Sequence, residues 1–188
     1  MIIGIAGAHS TGKTTLINAL QHCDEFKNFQ FKSGLTRDLH KLGVPINEAG
    51  TDVTQLYVMT KHYEYSQLQG DVMLDRCALD GLAYSQVVLR DYKDVDFLQA
   101  LGLIGRKCFN YYDIIFYIKP ELELEDDGVR TVDKEFHQRI VESFEMWIDN
   151  IKYYSKPVTV IELSGSVEER VSEVIAHYLE HASLKNNI

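Results

Sequence analysis

The stretch Met1–Leu20, MIIGIAGAHSTGKTTLINAL, decides the fold. Its opening, MIIGIAG, is a continuous and partly β-branched apolar run, the composition of a strand covered on both faces. Overlapping its end, GAHSTGKT (Gly7–Thr14) matches G-x-x-x-x-G-K-[ST]. That pattern is loose, and the context makes it specific: an apolar strand ends at Gly7 and an apolar helix starts at Lys13. The glycines let the backbone wrap around phosphates, whose charge is favoured by exposed N–H groups and the helix dipole. A nucleoside triphosphate, ATP with Mg²⁺, is therefore expected on Gly7, His9, Ser10, Thr11, Gly12, Lys13, Thr14 and Thr15. Lys13 is expected to reach the β and γ phosphates, and the Thr14 hydroxyl to ligate the metal.

Outward from this loop, four more apolar runs stand apart: Asn28–Gly34, Asp71–Asp75, Asp113–Lys119 and Val158–Gly165. The first of them alternates, which predicts a more exposed strand. Helical patterns lie between them, over Thr14–Cys23, Asp52–Leu68, Leu79–Arg90, Val95–Arg106 and Asp133–Tyr154. The longest carries Phe136, Ile140, Phe144, Trp147 and Ile151 at spacings of three and four. Asp52 with Gln55, and Ser166 with Glu169, read as capping boxes, the second opening a helix to about Leu179. Strands separated by helices need crossovers. The expectation is one α/β domain over residues 1–188, with the fold of P-loop NTPases: a five-stranded, mostly parallel sheet with helices on both faces.

The totals agree. At 188 residues and 45% hydrophobic composition the chain suits one well-buried domain, with no repeat and no linker. No run of about 18 apolar residues suggests a membrane span, and the strand-like start does not read as a signal peptide. Cys23, Cys77 and Cys108 are widely spaced and follow no metal pattern, which suits a reducing cytoplasm. A formal net charge of −9 weighs against a long nucleic-acid groove, though local cations can still hold polyphosphate.

What happens to the last phosphate depends on the remaining segments. No N-K-x-D guanine motif is present, and 188 residues leave little room for the helical lid domain of a AAA-type motor. A small-molecule kinase needs a second pocket, cations around the transferring phosphoryl, and a lid that excludes water. In GDVMLDRCALDGLAYSQ (Gly70–Gln86), Asp75 and Arg76 fall where a buried strand runs out, the edge at which open α/β sheets bind ligands. Asp75 is a candidate for holding Mg²⁺ or orienting the acceptor, and Arg76 for clamping a phosphate. The bland reading is a surface ion pair at a strand end. Tyr84, about two helical turns further on, could stack on an acceptor base, though such a residue is more often core.

Glu121–Ile140, acidic and containing Gly128, reads at its start as a lid over about 120–132 carrying Arg130 as an arginine finger. A plain solvated loop would have the same composition. Arg139 is a weaker second candidate. In SGLTRDLHKLG (Ser33–Gly43), Arg37 follows the second strand on the same sheet edge as Gly7 and Arg76, where it could hold an acceptor phosphate.

Together these segments resemble the thymidylate-kinase branch of P-loop nucleoside and nucleotide kinases. DRCALDGLAY is similar to that family's Asp-Arg motif followed by an aromatic in the acceptor pocket. EFHQRI is similar to the stretch after its lid, and LTRDL to its Thr-Arg acceptor-phosphate motif. A closer likeness is to small P-loop kinases related to ribosylnicotinamide kinases, many of them viral or bacterial, through GAHSTGKTTL, GTDVTQL and DDGVR. The resemblance implies donor phosphates and Mg²⁺ at Lys13 and Thr14, acceptor and catalysis at Asp75 and Arg76, the base at Tyr84, and the lid at Arg130. It also implies an acceptor base beneath the Asp52–Leu68 helix, at His62 or Tyr63, and homodimerisation. One departure matters: thymidylate kinases carry a carboxylate two residues after the first loop glycine, where this chain has His9.

Two arginines on the acceptor side favour an anionic acceptor, a nucleoside monophosphate converted to its diphosphate. The alternative is an uncharged hydroxyl of a nucleoside, of ribosylnicotinamide or of DNA, which requires a carboxylate base: Asp75, with Asp38 and Asp80 in reserve. A nucleotide-dependent regulatory module is the third class, and nothing in the residues demands it.

Overall fold

The computed structural model describes residues 1–120, 133–154 and 158–186. Strand β1 (Ile2–Ala6) is buried along its whole length because sheet neighbours and helices enclose it on every side. It pairs in parallel with β3 (Val72–Asp75) and β4 (Ile114–Ile118). Outside these lie β2 (Gln30–Lys32) and β5 (Thr159–Leu163), giving the order β2-β3-β1-β4-β5 with every pairing parallel. The alternating run at Asn28–Gly34 thus becomes a short edge strand, as its pattern predicts.

Parallel pairing forces each connection to cross the sheet, and helices make the crossings. The connecting helices are α1 (Lys13–Leu20), α2 (Leu35–Lys41), α3 (Asp52–Ser66), α4 (Ala78–Val88), α5 (Val95–Phe109) and α6 (Lys134–Ile151), and α7 (Val167–Asn186) follows the last strand. Alternate residues of β1 serve two cores. Ile3 and Ile5 pack with Leu16, Ile17, Leu20 and Phe26 toward α1 and α7, whereas Ile2 and Ala6 join Leu79, Leu82, Ile140 and Phe144 on the other face. Each buried isoleucine, leucine or phenylalanine of these cores contributes about 1.5–3 kcal/mol, so a polar residue in β1 would have no tolerable position.

Two boundaries differ from the sequence expectation. The N-cap of α3 is Thr51, whose hydroxyl accepts from the Thr54 N–H at 3.3 Å, and Asp52 is already helical. The last helix runs on to Asn186 rather than Leu179. The capping box at its start is present as expected, with Ser166 and Glu169 exchanging hydrogen bonds of 2.8 and 3.2 Å. Among the described residues no helix is long and apolar enough to cross a membrane. Of the expected lid over 120–132, residues 121–132 lie outside the described residues, and Arg130 with them.

One close approach sets up the site. A Cβ at Gly4 would lie 2.9 Å from Cys77 Cβ, so only glycine lets the start of α4 settle directly on β1. The register Ile5↔Asp75 then brings the Asp75-Arg76-Cys77 turn level with the loop after β1.

Candidate active site

Helix α1 begins without a capping side chain. Gly12 occupies its N-cap in the left-handed region, φ +83°, and as a glycine offers no side chain to cap the first-turn N–H groups. By contrast α3, α5 and α6 are capped by Thr51, Asp94 and Asp133. The open end of α1 and the loop before it therefore retain donors and a positive dipole end for an anion. Lys13 is buried and folds over this loop, its Nζ donating to the carbonyl oxygens of Gly7 (2.7 Å) and Ala8 and to Thr11 Oγ1 (3.2 Å). From behind, Arg170 in the first turn of α7 donates to the Thr11 carbonyl at 2.9 Å. Thr15 is exposed and is not among the residues lining the cavity described below.

Opposite the loop, β3 ends at Asp75, whose Oδ2 accepts from Thr14 Oγ1 at 3.4 Å. A hydroxyl and a carboxylate converging at the mouth of a phosphate loop are the hard oxygen donors that suit Mg²⁺ completed by phosphate and water. The residues present fit that metal.

Arg76 adopts φ +78°, a left-handed conformation that costs a non-glycine residue about 1–2 kcal/mol. Its backbone N–H donates to Ile5 O at 3.0 Å, and the turn aims its side chain along α4. There NH1 donates to Asp80 Oδ1 at 3.3 Å and the guanidinium lies 5.3 Å above the Tyr84 ring. Asp80 is itself buried, and its Oδ2 caps α4 by accepting from Cys77 N–H at 3.1 Å. Burial pushes the Asp80 carboxyl above the ordinary carboxylate range, against the pull of Arg76 and Lys13.

Tyr84 is committed to the loop. Its hydroxyl oxygen accepts from the His9 backbone N–H and contacts His9 Nδ1, both at 3.0 Å. The His9 ring is buried, edge-on to His137 at 4.6 Å between centroids and stacked over Phe136 at 6.2 Å. His137 Nε2 lies 3.2 Å from His9 O; a carbonyl only accepts, so this nitrogen carries the proton. Burial lowers the pKa of His137, which keeps the ring in its neutral form.

Two connected spaces open over these residues. The first, about 260 Å³, is lined by His9 to Thr14, by Arg37 and Arg76, and by Asp75, which meets Thr14 across it. The second is a narrow slot of about 50 Å³ between α2, α3 and α4, reached past Leu35, Thr36, Asn47 and Arg76, which line both. Arg76, Asp80, Tyr84, Gln55 and His62 face it. Of the two α3 candidates, His62 is the inward one, 1% exposed, while Tyr63 is 37% exposed. Arg139 pairs with Glu135 and lines a separate groove with Gln86 and Met146.

Sequence reading thus brings Lys13, Thr14, Arg37, Asp75 and Arg76 to one cavity and His62 and Tyr84 to the adjoining slot. It missed His137 and Arg170, whose contacts with the loop join residues far apart in the chain. It named Asp80 only as a reserve base, although the Arg76–Asp80 spacing of four on a helix is a readable pairing signal. Gln55 it read as a cap, whereas its side chain lines the slot.

A family model described as an AAA domain matches residues 2–170. Among solved structures, the chain is similar to deoxyadenosine kinase from M. mycoides with products dCMP and a flexible dCDP bound. That match has 14% identity and a TM-score of 0.66, and covers 96% of this chain and 99% of the other. It is also similar to NadR protein in complex with NR, at 22% identity and TM-score 0.68 over 96% of this chain, which spans about half (51%) of that protein. The YorR protein from Bacillus subtilis, in complex with phosphorylated GDP, matches at 16% identity and TM-score 0.54, over 97% of this chain and 98% of the other. At these identities the likeness is one of fold, that of P-loop NTPases. No curated protein matches the sequence.

Proposed function

The chain belongs to the AAA domain family, and from that premise we propose that it is a Mg²⁺-dependent kinase moving the γ-phosphoryl of ATP to a nucleoside monophosphate. The observation that carries this reading is the lining of the main cavity, which brings together the glycine-capped start of α1, Lys13, Asp75, and the two arginines Arg37 and Arg76. An anionic donor and an anionic acceptor would meet there with their charges neutralised from both sides. Likeness to a deoxyadenosine kinase with dCMP and dCDP, and to a protein holding phosphorylated GDP, supports a nucleoside or nucleotide as the acceptor.

On this reading the loop N–H groups and Lys13 hold the donor's β and γ phosphates, and Thr14 with Asp75 would hold Mg²⁺. Bound there, the metal would neutralise charge on the transferring phosphoryl. Arg76, locked by Asp80 and by its place over Tyr84, presents its remaining N–H donors to the acceptor phosphate with little freedom left to lose. Transfer is in line, and its acceleration comes from positioning and charge neutralisation. Arg130, as a finger over the phosphates, belongs to the same proposal.

A second reading has its own support. Arg76 already faces a buried carboxylate, so the acceptor end is less cationic than two free arginines would make it. That suits an uncharged hydroxyl acceptor, a nucleoside or ribosylnicotinamide, with Asp75 taking the proton; the structural likeness to NadR with NR points the same way.

A phosphoryl-transfer screen with ATP–Mg²⁺ decides between them. The acceptors are matched nucleosides, their 5′-monophosphates, ribosylnicotinamide and short single-stranded DNA, with products identified by mass. Diphosphates formed from monophosphates are the expected result. Transfer confined to nucleosides, ribosylnicotinamide or DNA establishes the second reading, and ATP binding without transfer to any of them overturns both.

A further inference from the structure

Helix α5 carries two glycines that need different explanations. A Cβ at Gly105 would lie 2.6 Å from Leu82 Cδ2, so α4 and α5 pack this closely only with glycine there. At Gly102 a Cβ would meet nothing within 4 Å, and the residue is helical without a positive φ. Glycine inside a helix is destabilising relative to alanine, because it gives up more backbone freedom on folding. Neither packing nor backbone conformation asks for it at position 102. What it preserves there is open space.

That space is a cavity of about 610 Å³ between α4, α5 and α6, against about 260 Å³ for the main cavity. Small-molecule sites typically hold about 300–1,000 Å³. Leu82, Leu89, Leu98 and Leu101 give it apolar walls. Trp147, the only tryptophan of the chain, adds aromatic surface, and its buried Nε1 has no hydrogen-bond partner among the described residues. Arg90 and Arg106 line the same cavity, and no carboxylate does, in a chain with 28 acidic and 19 basic residues. Arg106 has no ion-pair partner among the described residues. Arg90 meets Asp91 through Nε at 3.2 Å, which leaves its terminal nitrogens for an anion. None of these residues lines the main cavity or the slot beside it.

We propose that this cavity is a second, non-catalytic site, and that it takes a planar organic anion of the nucleoside-phosphate class. The ring lies against Trp147 in the space that Gly102 leaves, and the phosphate is held by Arg106 and Arg90. An aromatic side chain stacks bases of any identity, and guanidinium groups match phosphate oxygens in geometry and charge. Inorganic phosphate would leave the apolar walls unfilled, and an uncharged ring would leave both arginines unanswered. The inference goes beyond the kinase reading and does not depend on it. Helix α4 nevertheless connects the two regions, since Ser85 lines this cavity while its Oγ donates to Gln55 of the slot at 3.1 Å.

Trp147 makes the test direct, because all tryptophan emission of the chain comes from the wall of this cavity. The full chain is titrated with nucleoside mono-, di- and triphosphates, the matched nucleosides and inorganic phosphate. Equilibrium dialysis of the same nucleotides counts the equivalents bound. Gly102→Leu fills the space with a better helix former, Arg106→Ala removes one cation, and Arg106→Lys keeps its charge. At least one nucleoside phosphate is expected to shift Trp147 emission saturably, and the wild type to bind one equivalent more of it than Gly102→Leu. Arg106→Ala should weaken this binding about tenfold and Arg106→Lys recover part of it, with the remaining nucleotide binding unchanged. Thermal unfolding checks that Gly102→Leu is no less stable than the wild type; if it fails to fold, Arg106→Ala carries the test. An emission change that is the same in the wild type and both variants comes from the catalytic cleft and overturns the proposal. So does an equal response to nucleosides and their phosphates, or no response with equal stoichiometry. Emission that follows protein concentration instead of nucleotide would show a second copy covering the groove, which also overturns it.

Discussion

The two ends of the cleft are built by different means. At the proposed donor end the working groups are backbone N–H groups, one lysine and one hydroxyl, all within Gly7–Thr14. At the proposed acceptor end they are the side chains of Arg37, His62, Arg76 and Tyr84, delivered by α2, α3, the β3–α4 turn and α4. A backbone cradle needs only a strand, a glycine-rich turn and a helix start, which a short segment specifies by itself. A side-chain pocket needs several elements docked correctly, and three of its side chains are held by a partner: Arg76 by Asp80, Tyr84 by His9, Gln55 by Ser85. The donor end should therefore fail through single residues, and the acceptor end through pairs.

The largest expected effect is at the donor end. Lys13→Ala removes the one ammonium inside the loop, and a loss of transfer on the order of 10³-fold, about 4 kcal/mol, is expected with the fold retained. Transfer surviving at near the full rate would break the assignment of this end. Next comes Arg76→Ala, with a loss of about 10²-fold, or about 2.7 kcal/mol. Pairing makes the sharper statement: Asp80→Asn should lower transfer, yet in an Arg76→Ala background it should add almost nothing. Full additivity in that double-mutant cycle would show that Asp80 does not act through Arg76.

A third effect is read from pH. The folded His62 has a pKa of about 3 against an ordinary 6.5, so below pH 6.5 the unfolded chain takes up a proton that the folded chain refuses. Stability contributed by this site is thus complete above pH 6.5 and is lost on acidification, by about 1.4 kcal/mol per unit down to about pH 3. Denaturant unfolding of wild type and His62→Phe at pH 7 and pH 5 measures it. The wild type should lose more than the variant, and parallel losses would mean that His62 protonates in the folded state.

The same contrast explains what was legible in the sequence. The parallel sheet could be read because β1 and β4 are apolar throughout, a pattern that only two-sided burial requires. The phosphate loop could be read because its chemistry is local. That Arg37, Asp75 and Arg76 share one cavity could be anticipated because strand ends are visible as the end of apolar runs. The cap of α3 was missed by one residue because Thr51 and Asp52 are both good caps, and the choice rests on tertiary contacts such as the 2.6 Å bond from Tyr92 to Asp52. Which of His62 and Tyr63 faces inward was not readable either: α3 packs on both α4 and α5, so its apolar residues mark no single face. The ties from His137 and Arg170 to the loop join residues 128 and 159 positions apart, a separation no local pattern spans.

The smallest expected effect turns on the first of those ties. If the donor end were wholly local, the loop would hold its shape whatever α6 did. His137 Nε2 nevertheless donates to the His9 carbonyl, and its ring meets His9 edge-on. His137→Phe keeps an aromatic ring and deletes that one hydrogen bond, worth about 1 kcal/mol. The expected outcome is an ATP affinity lowered about fivefold with base preference unchanged, since the slot beside His62 does not include His137. An unchanged ATP affinity would show that Gly7–Thr14 holds its own geometry, and the contrast between the ends would be sharper than the structure draws it. A changed base preference would break it, because the disturbance would have travelled through His9 and Tyr84 into the acceptor slot, making the two ends one mechanical unit.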